Sequence, residues 1–294
     1  MFSSGEKYMK KERVNRGLLP ICTVFAAGLF FRQLYNLSLS NFIIENHEVP
    51  AVFDGFRILQ ISDLHNNKLI CHKGRLALKI KSLAPDVIFI TGDIVDRTRA
   101  DFDVAVGLAR ELVKICPVYY IPGNHEARLR QRDILFRQLK QTGVILLFDR
   151  KEFIERNNER ISVTGIMDPR FDNYRSKRVS NNTRIMLRLR DLRPLDKEYF
   201  NILLAHRPEN PALFSNEGYD LVFSGHAHGG QWRLPVFGAL YAPGQGIFPE
   251  YTSGVHMIND TAVVISRGLG NSDMPVRINN PFELVVVTLK HKKD

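Results

Sequence analysis

Two histidines one residue apart, His226 and His228, stand between Gly225 and the Gly229-Gly230 pair, directly after the apolar run Leu221-Val222-Phe223. Imidazoles at i and i+2 point the same way only in extended chain, where neither is easily buried. Imidazole is a frequent metal ligand, so a His-x-His closing a strand reads as part of a metal site; a polar loop is the plain alternative. Other apolar runs end in the same manner. Asp63 and His65 follow residues 57–62, Asp93 follows 87–91, Asn124 follows 118–121, and His206 follows 201–205. Each aspartate alone could be a turn or cap residue. Together, two carboxylates, one amide and four imidazoles exceed what a single structural zinc takes. They suit two adjacent divalent cations sharing one carboxylate, and the mixed nitrogen and oxygen set favours manganese, iron or zinc over calcium or magnesium. Such a pair clamps the attacking and leaving oxygens of an in-line displacement at phosphorus.

The elements that must position these residues alternate between strand and helix patterns. Helical spacing is predicted over 73–83, 103–115 and 133–141, and further strands over 144–147, 161–165, 261–266 and 282–289. Alternating βα units followed by a strand-rich half predict an α/β fold, in which ligands gather beyond the carboxyl ends of the strands. Residues 169–196 break the alternation. They are polar and arginine-rich, and close in a short helix predicted at 187–195. Because it interrupts the pattern between Gly165 and the strand leading to His206, the segment 170–193 is expected to emerge at the metal-bearing edge and to tune substrate choice and membrane contact. The plain alternative is a solvated helix whose arginines pair locally.

The chain of 294 residues has globular proportions, 44% hydrophobic and 24% charged, which is enough for a substantial core. Lysine and arginine outnumber acids by 41 to 31, giving +10 and an attraction to phosphorylated, lipid or nucleic-acid polyanions. Charge alone speaks for nucleic acid; no repeat or recognition module accompanies it, so nucleic acid is disfavoured as a partner. Cys22, Cys71 and Cys116 form no CxxC pair, and a single Cys71–Cys116 disulfide stays open. His47, His72, His256 and His291 fit no motif and read as surface or packing residues. Trp232, the sole tryptophan, either lines a substrate groove or packs in the core.

Lys7, Lys10, Lys11, Arg13 and Arg16 precede an uncharged apolar run at 18–31, which Leu34, Tyr35, Leu37 and Leu39 extend to about 22 residues. The leading expectation for residues 1–40 is a basic segment and uncleaved signal-anchor helix, with a cleaved signal or a buried helix as alternatives. By the positive-inside rule the N-terminus stays in the cytoplasm and the remainder is exported at the cell membrane, or secreted if the signal is cleaved. Residues 41–55 read as a linker, and 56–294 as the folded domain.

Taken in order, Asp63-x-His65, Gly92-Asp93-x-x-Asp96-Arg97, Gly123-Asn124-His125-Glu126, the isolated His206 and Gly225-His226-x-His228 resemble the calcineurin-like metallophosphoesterase superfamily, over roughly residues 54–289. A closer resemblance is to its membrane-associated bacterial branch, through Gly225–Gln231 with Arg233-Leu234-Pro235, then Ser266–Gly270 and Pro275-Val276-Arg277. Ala227 stands where that branch has threonine, and Pro281-Phe282-Glu283 carries one residue between its terminal proline and glutamate.

The resemblance implies a four-layer α/β/β/α sandwich. It implies one metal held by Asp63, His65, Asp93 and His228, and a second by Asp93, Asn124, His206 and His226, with Asp93 bridging. A metal-bound hydroxide would attack phosphorus, His125 would protonate the leaving oxygen as general acid, Asp96 would orient that imidazole, and Arg97 would contact phosphate oxygens. The expected substrate is a phosphoester, monoester or diester, lipid-linked substrates included. A lipid-linked pyrophosphatase acting on a nucleotide-sugar lipid and a non-catalytic metal-binding scaffold are the rival readings. A scaffold has no physical need of His125 and Asp96.

Overall fold

Val87–Thr91 is buried at every residue, as a strand must be when both faces of its sheet are covered. In the computed structural model, which describes residues 37–172, 179–192, 198–271 and 276–293, it is a central strand of one of two six-stranded sheets. The strands are β1 (Leu37–Asn46), β2 (Arg57–Ile61), β3 (Val87–Thr91), β4 (Val118–Ile121), β5 (Ile145–Leu146), β6 (Arg150–Arg156), β7 (Glu159–Gly165), β8 (Asn201–Leu204) and β9 (Leu221–Ser224). Four two-residue strands follow: β10 (Arg233–Leu234), β11 (Gly238–Ala239), β12 (Tyr241–Ala242) and β13 (Gly246–Ile247). The last are β14 (Gly254–Ile258), β15 (Thr261–Ile265) and β16 (Phe282–His291). The helices are α1 (Lys68–Cys71), α2 (Arg75–Ser82), α3 (Phe102–Leu112), α4 (Arg132–Thr142), α5 (Asn181–Asp191) and α6 (Ala212–Asn216).

The first sheet runs β1-β16-β2-β3-β4-β5 and the second β14-β15-β9-β8-β7-β6. Side chains alternate across each strand, and the two faces go to different cores. Ile58, Phe89, Ile121, Val285, Ile202 and Phe223 meet between the sheets. Leu59, Ile61, Ile88 and Ile90 point outward against α2, α3 and α4. On the far side, Leu203, Val222 and Val263 pack against Ile185 and Leu189 of α5 and Phe214 of α6. The result is the expected four-layer α/β/β/α sandwich. Because β2, β3 and β4 are parallel, as are β7, β8 and β9, the loops after their carboxyl ends gather at one end of the molecule.

Two readings of the sequence change. Residues 41–55, expected as a linker, are largely structured: β1 pairs with β16 in parallel over ten residues, from Leu37 opposite Phe282 to Asn46 opposite His291. Leu37 and Leu39, expected in the apolar helix, therefore belong to the sheet. The partner strand lies more than 240 residues downstream, so nothing local marked LSLSNFIIEN as an edge strand. Residues 1–36, with the expected anchor and Cys22, lie outside the described residues. No described helix is long and apolar enough to cross a membrane.

The helix expected at 187–195 is instead α5, Asn181–Asp191, begun by Ser180, whose Oγ accepts from Thr183 N at 3.1 Å. Its Arg188 forms ion pairs with Asp149 and Asp172, so part of the basic stretch pairs locally. The stretch does leave β7 at the ligand-bearing end: Asp168, just before it, meets Arg207 Nε at 2.6 Å. Cys71 and Cys116 are free thiols.

Candidate metal centre

Asp63, His65 and His228 converge in one group of buried side chains, and Asp93, His206 and His226 in another, the atoms of each group lying within 4.8 Å of one another. In the first, His65 Nε2 is 3.3 Å from His228 Nε2 and 4.0 Å from Asp63 Oδ1, and His228 Nε2 is 3.4 Å from the same oxygen. In the second, Asp93 Oδ2 is 3.2 Å from His206 Nε2. That oxygen is also 3.9 Å from His65 Nε2, so Asp93 stands between the groups. Ligands about 2.1 Å from a shared cation lie roughly 3.0–3.5 Å apart. Most of these separations match that spacing.

Three further observations fit divalent cations. Asn124 Oδ1 is buried and has no hydrogen-bond partner among the described residues. His206 Nδ1 meets Thr91 O at 2.7 Å, so it donates there and turns Nε2 toward Asp93, where that nitrogen either binds a cation or, without one, carries a proton. The electrostatics also call for positive charge. Burial pushes the Asp63 carboxyl up to about 6, and although burial opposes charge on His206, Asp93, Asp63 and Asp168 push its imidazole up to about 10.

The loops holding these groups are strained. Asp63, His65, Asp93, His226 and His228 all adopt left-handed backbone, with φ of 50°, 46°, 52°, 64° and 49°. Such conformations cost about 1–3 kcal/mol each in non-glycine residues and persist only where surroundings impose them. Here the imposing contacts are visible. Asp63 N and His65 N donate to Gly92 O and Asp93 O, at 3.0 and 3.1 Å, lacing the first two ligand loops together. Both Asp63 oxygens accept from His226 N, at 3.2 and 3.0 Å, tying in the loop from the second sheet. Gly123 and Gly225 allow this closeness, because a Cβ at either would collide with the Asp93 or Asp63 carboxylate.

Glu126 is the residue the motif reading passed over. Fully buried, its Oε2 accepts from Asp93 N at 2.9 Å and Gly123 N at 2.8 Å, and its Oε1 from Val95 N at 3.1 Å. It thus fastens the Asp93 and Asn124 loops to each other. Its place directly after Asn124-His125 was the available signal. Arg207 and Glu209 were also passed over, though they follow His206 at once. Arg207 Nη1 lies 2.9 Å from His226 Nε2 and 3.1 Å from Glu209 Oε1. Arg277 Nη2 lies 3.3 Å from His228 Nδ1.

The expected acid pair is brought together, the ligand atoms of His65, Asp96 and His125 lying within 4.8 Å of one another, but without a hydrogen bond between Asp96 and the ring. His125 is buried and adjoins His65, with ring centroids 4.4 Å apart. Asp96, expected to orient it, gives Oδ1 to Thr98 N at 2.7 Å and Arg99 N at 3.2 Å, while its Oδ2 lies 3.8 Å from His65 Nδ1. The His125 Nδ1 accepts instead from the main-chain N–H of Arg97, at 3.1 Å. Asp96 turns the loop so that this peptide faces the imidazole, and does not bond to the ring itself. Of the remaining histidines, none of His47, His72, His256 and His291 falls in a metal-ligand group.

Carboxylates and imidazoles from both sheets gather at the carboxyl ends of a layered α/β sandwich, as the donors of a metal centre would. Residues 56–230 match the calcineurin-like phosphoesterases, and the chain belongs to that family. It is 28% identical to the Bacillus subtilis metallophosphoesterase YkuE over 253 residues, covering 84% of this chain and 83% of that one. It is 24% identical over 240 residues to the Escherichia coli phosphodiesterase YaeI, covering 80% and 82%. Among solved structures, the phosphopantetheinyl hydrolase PptH of Mycobacterium tuberculosis overlays with a TM-score of 0.48 at 15% identity, over 74% of this chain and 91% of that one. The chain is a phosphoester hydrolase.

Proposed function

We propose that this hydrolase holds two divalent cations and cleaves phosphoric mono- or diesters with His125 as general acid. Asp63, His65, Asp93 and His228 would hold one cation, and Asp93, Asn124, His206 and His226 the other, with manganese, iron or zinc suited to the donor set. The observation that carries this reading is the position of Asp93 Oδ2, within 3.2 Å of His206 Nε2 and 3.9 Å of His65 Nε2. Cations held there would polarise the phosphoryl oxygens and neutralise the charge that develops on them.

The chain's own groups do the rest. The Arg97 N–H donates to Nδ1 of His125, so the neutral imidazole carries its one proton on Nε2. As general acid the ring would act as the imidazolium, taking a second proton on Nδ1 in place of the Arg97 contact and passing the Nε2 proton to the leaving oxygen. The Arg97 guanidinium is assigned to the phosphate oxygens of the substrate. Glu126 and the glycines keep the loops from relaxing when charge shifts among the ligands.

Residues 1–36 are proposed to anchor the chain in the cytoplasmic membrane with the catalytic domain exported, which would bring lipid-linked phosphoesters within reach. Hydrolysis of soluble and lipid-linked mono- and diesters, with each of the three metals added to stripped enzyme, tests the activity; no turnover with any metal would overturn it. Protease added to intact spheroplasts should remove the domain. Digestion only in inside-out vesicles would reverse the topology.

A further inference from the structure

Directly after the His228 turn, two small hairpins carry an uncommon run of exposed apolar side chains. β10 and β11 pair in antiparallel, with Val236 and Phe237 in their turn; β12 and β13 pair likewise, and Phe248 follows. Val236 is 101% exposed, Phe237 72%, Ile247 71% and Phe248 61%. The hairpins form one unit, since Leu240 N donates to Trp232 O at 2.8 Å and Phe248 N to Leu240 O at 3.0 Å. They also sit firmly on the ligand loop. Ala239 packs against Gly230, where a Cβ would collide with it, and Asn280 Nδ2 donates to His228 O at 2.7 Å and Gln231 O at 3.1 Å. Val236 and Phe237 in the turn of the first hairpin, with Ile247 and Phe248 at the base of the second, leave apolar side chains in water on a rigid support. Such a surface suits a partner that excludes water.

The topology says where that surface lies. β16 runs antiparallel to β2, with Val285 opposite Gln60, so its first residue, Phe282, lies at the ligand-bearing end beyond which Asp63 stands. β1 runs parallel to β16 with Leu37 opposite Phe282. The polypeptide therefore enters the domain at the metal end, the same end that carries the hairpins. The 36 preceding residues contain the uncharged run at 18–31 and the five cations Lys7, Lys10, Lys11, Arg13 and Arg16 before it. The net charge of +10 favours an anionic partner. At the base of the hairpins Trp232 is partly exposed, its Nε1 donating to Val276 O at 3.0 Å, and Tyr241 is exposed beside it. Aromatic groups with a polar handle next to purely apolar side chains are the pairing found at a membrane interface.

We infer that the hairpins between Trp232 and Phe248 seat the exposed side chains of Val236, Phe237, Ile247 and Phe248 in the headgroup–acyl boundary of an anionic lipid bilayer, holding the metal end of the sandwich against the membrane. The inference rests on the membrane placement proposed above and adds an orientation to it. The site then opens toward the lipid surface, where the polar head of a lipid-borne phosphoester reaches it and the acyl chains stay in the bilayer.

Trp232 is the chain's only tryptophan, so its fluorescence reports this contact without labelling. The full chain would be reconstituted into vesicles of phosphatidylcholine and phosphatidylglycerol carrying bromine on the upper acyl carbons. Trp232 emission should shift to the blue and be quenched. In the double variant Val236→Glu, Phe237→Glu the quenching should be lost, while the chain still floats with the vesicles and hydrolyses a small soluble ester near the wild-type rate. A chain that floats with Trp232 unquenched would overturn the docking and leave the anchor standing, with the apolar side chains covered by another part of the chain or a second copy. Quenching that survives in the double variant would likewise overturn it. A chain that does not float would overturn the membrane placement itself.

Discussion

The main-chain N–H of Arg97 donates to Nδ1 of His125 at 3.1 Å, which places the proton of the neutral imidazole on Nε2. His125→Ala should keep the metals, since the side chain belongs to neither four-ligand set, and should lose about 10²–10⁴-fold in turnover. The loss should shrink for a nitrophenyl ester, whose leaving group needs no proton. Steady-state rates on esters of graded leaving-group pKa check this; an equal loss across the series would remove His125 from the acid role.

Asp93 and His65 should differ in what their replacement releases. Asp93→Asn is expected to weaken both cation sites, because its Oδ2 stands between them, whereas His65→Ala should weaken one. Elemental analysis of each purified variant at saturating metal reads the stoichiometry directly. Full loading of Asp93→Asn would contradict the bridging position.

Glu126 should matter to stability before it matters to chemistry. Glu126→Ala strands the N–H groups of Asp93, Val95 and Gly123 in a buried site, at roughly 1–3 kcal/mol each before relaxation. Urea unfolding of the chelator-stripped protein should show a loss of about 3 kcal/mol or more. Glu126→Gln, which keeps one acceptor oxygen, should recover part of it. A thermally unchanged alanine variant would show that water replaces the clamp.

A pH effect is expected away from the metals. Burial pushes the Asp220 carboxyl from 3.8 up to about 6, although Asn201 N donates to its Oδ2 at 2.6 Å and favours the charge. The folded chain thus holds this proton more tightly than the unfolded chain. Its contribution is fully present below pH 3.8 and is lost as pH rises through 6, a difference of about 3 kcal/mol. Asp220→Asn keeps an acceptor for Asn201 and should flatten stability against pH between those values. Denaturant midpoints at stepped pH for both proteins measure it, and an unchanged slope would remove Asp220 as its source.

The sequence by itself determined the ligand types and the strand ends that carry them. Asp63, Asp93, Asn124, His206 and the His226–His228 pair each close a short apolar run, and both the run and the turn after it are local patterns. The layered α/β architecture was legible for the same reason, since β3 and β9 are apolar up to their closing Thr91 and Ser224 and the helices between show their own period. Only the tertiary structure decided the contacts that join distant segments. It paired β1 with β16, made Glu126 a fastening between loops, gave His125 to the Arg97 peptide instead of Asp96, and bridged Trp232 at the foot of the hairpins to Ile278 just before β16. A side chain's partner depends on which backbone groups the folded loops bring within about 3 Å, and spacing along the chain does not specify that distance.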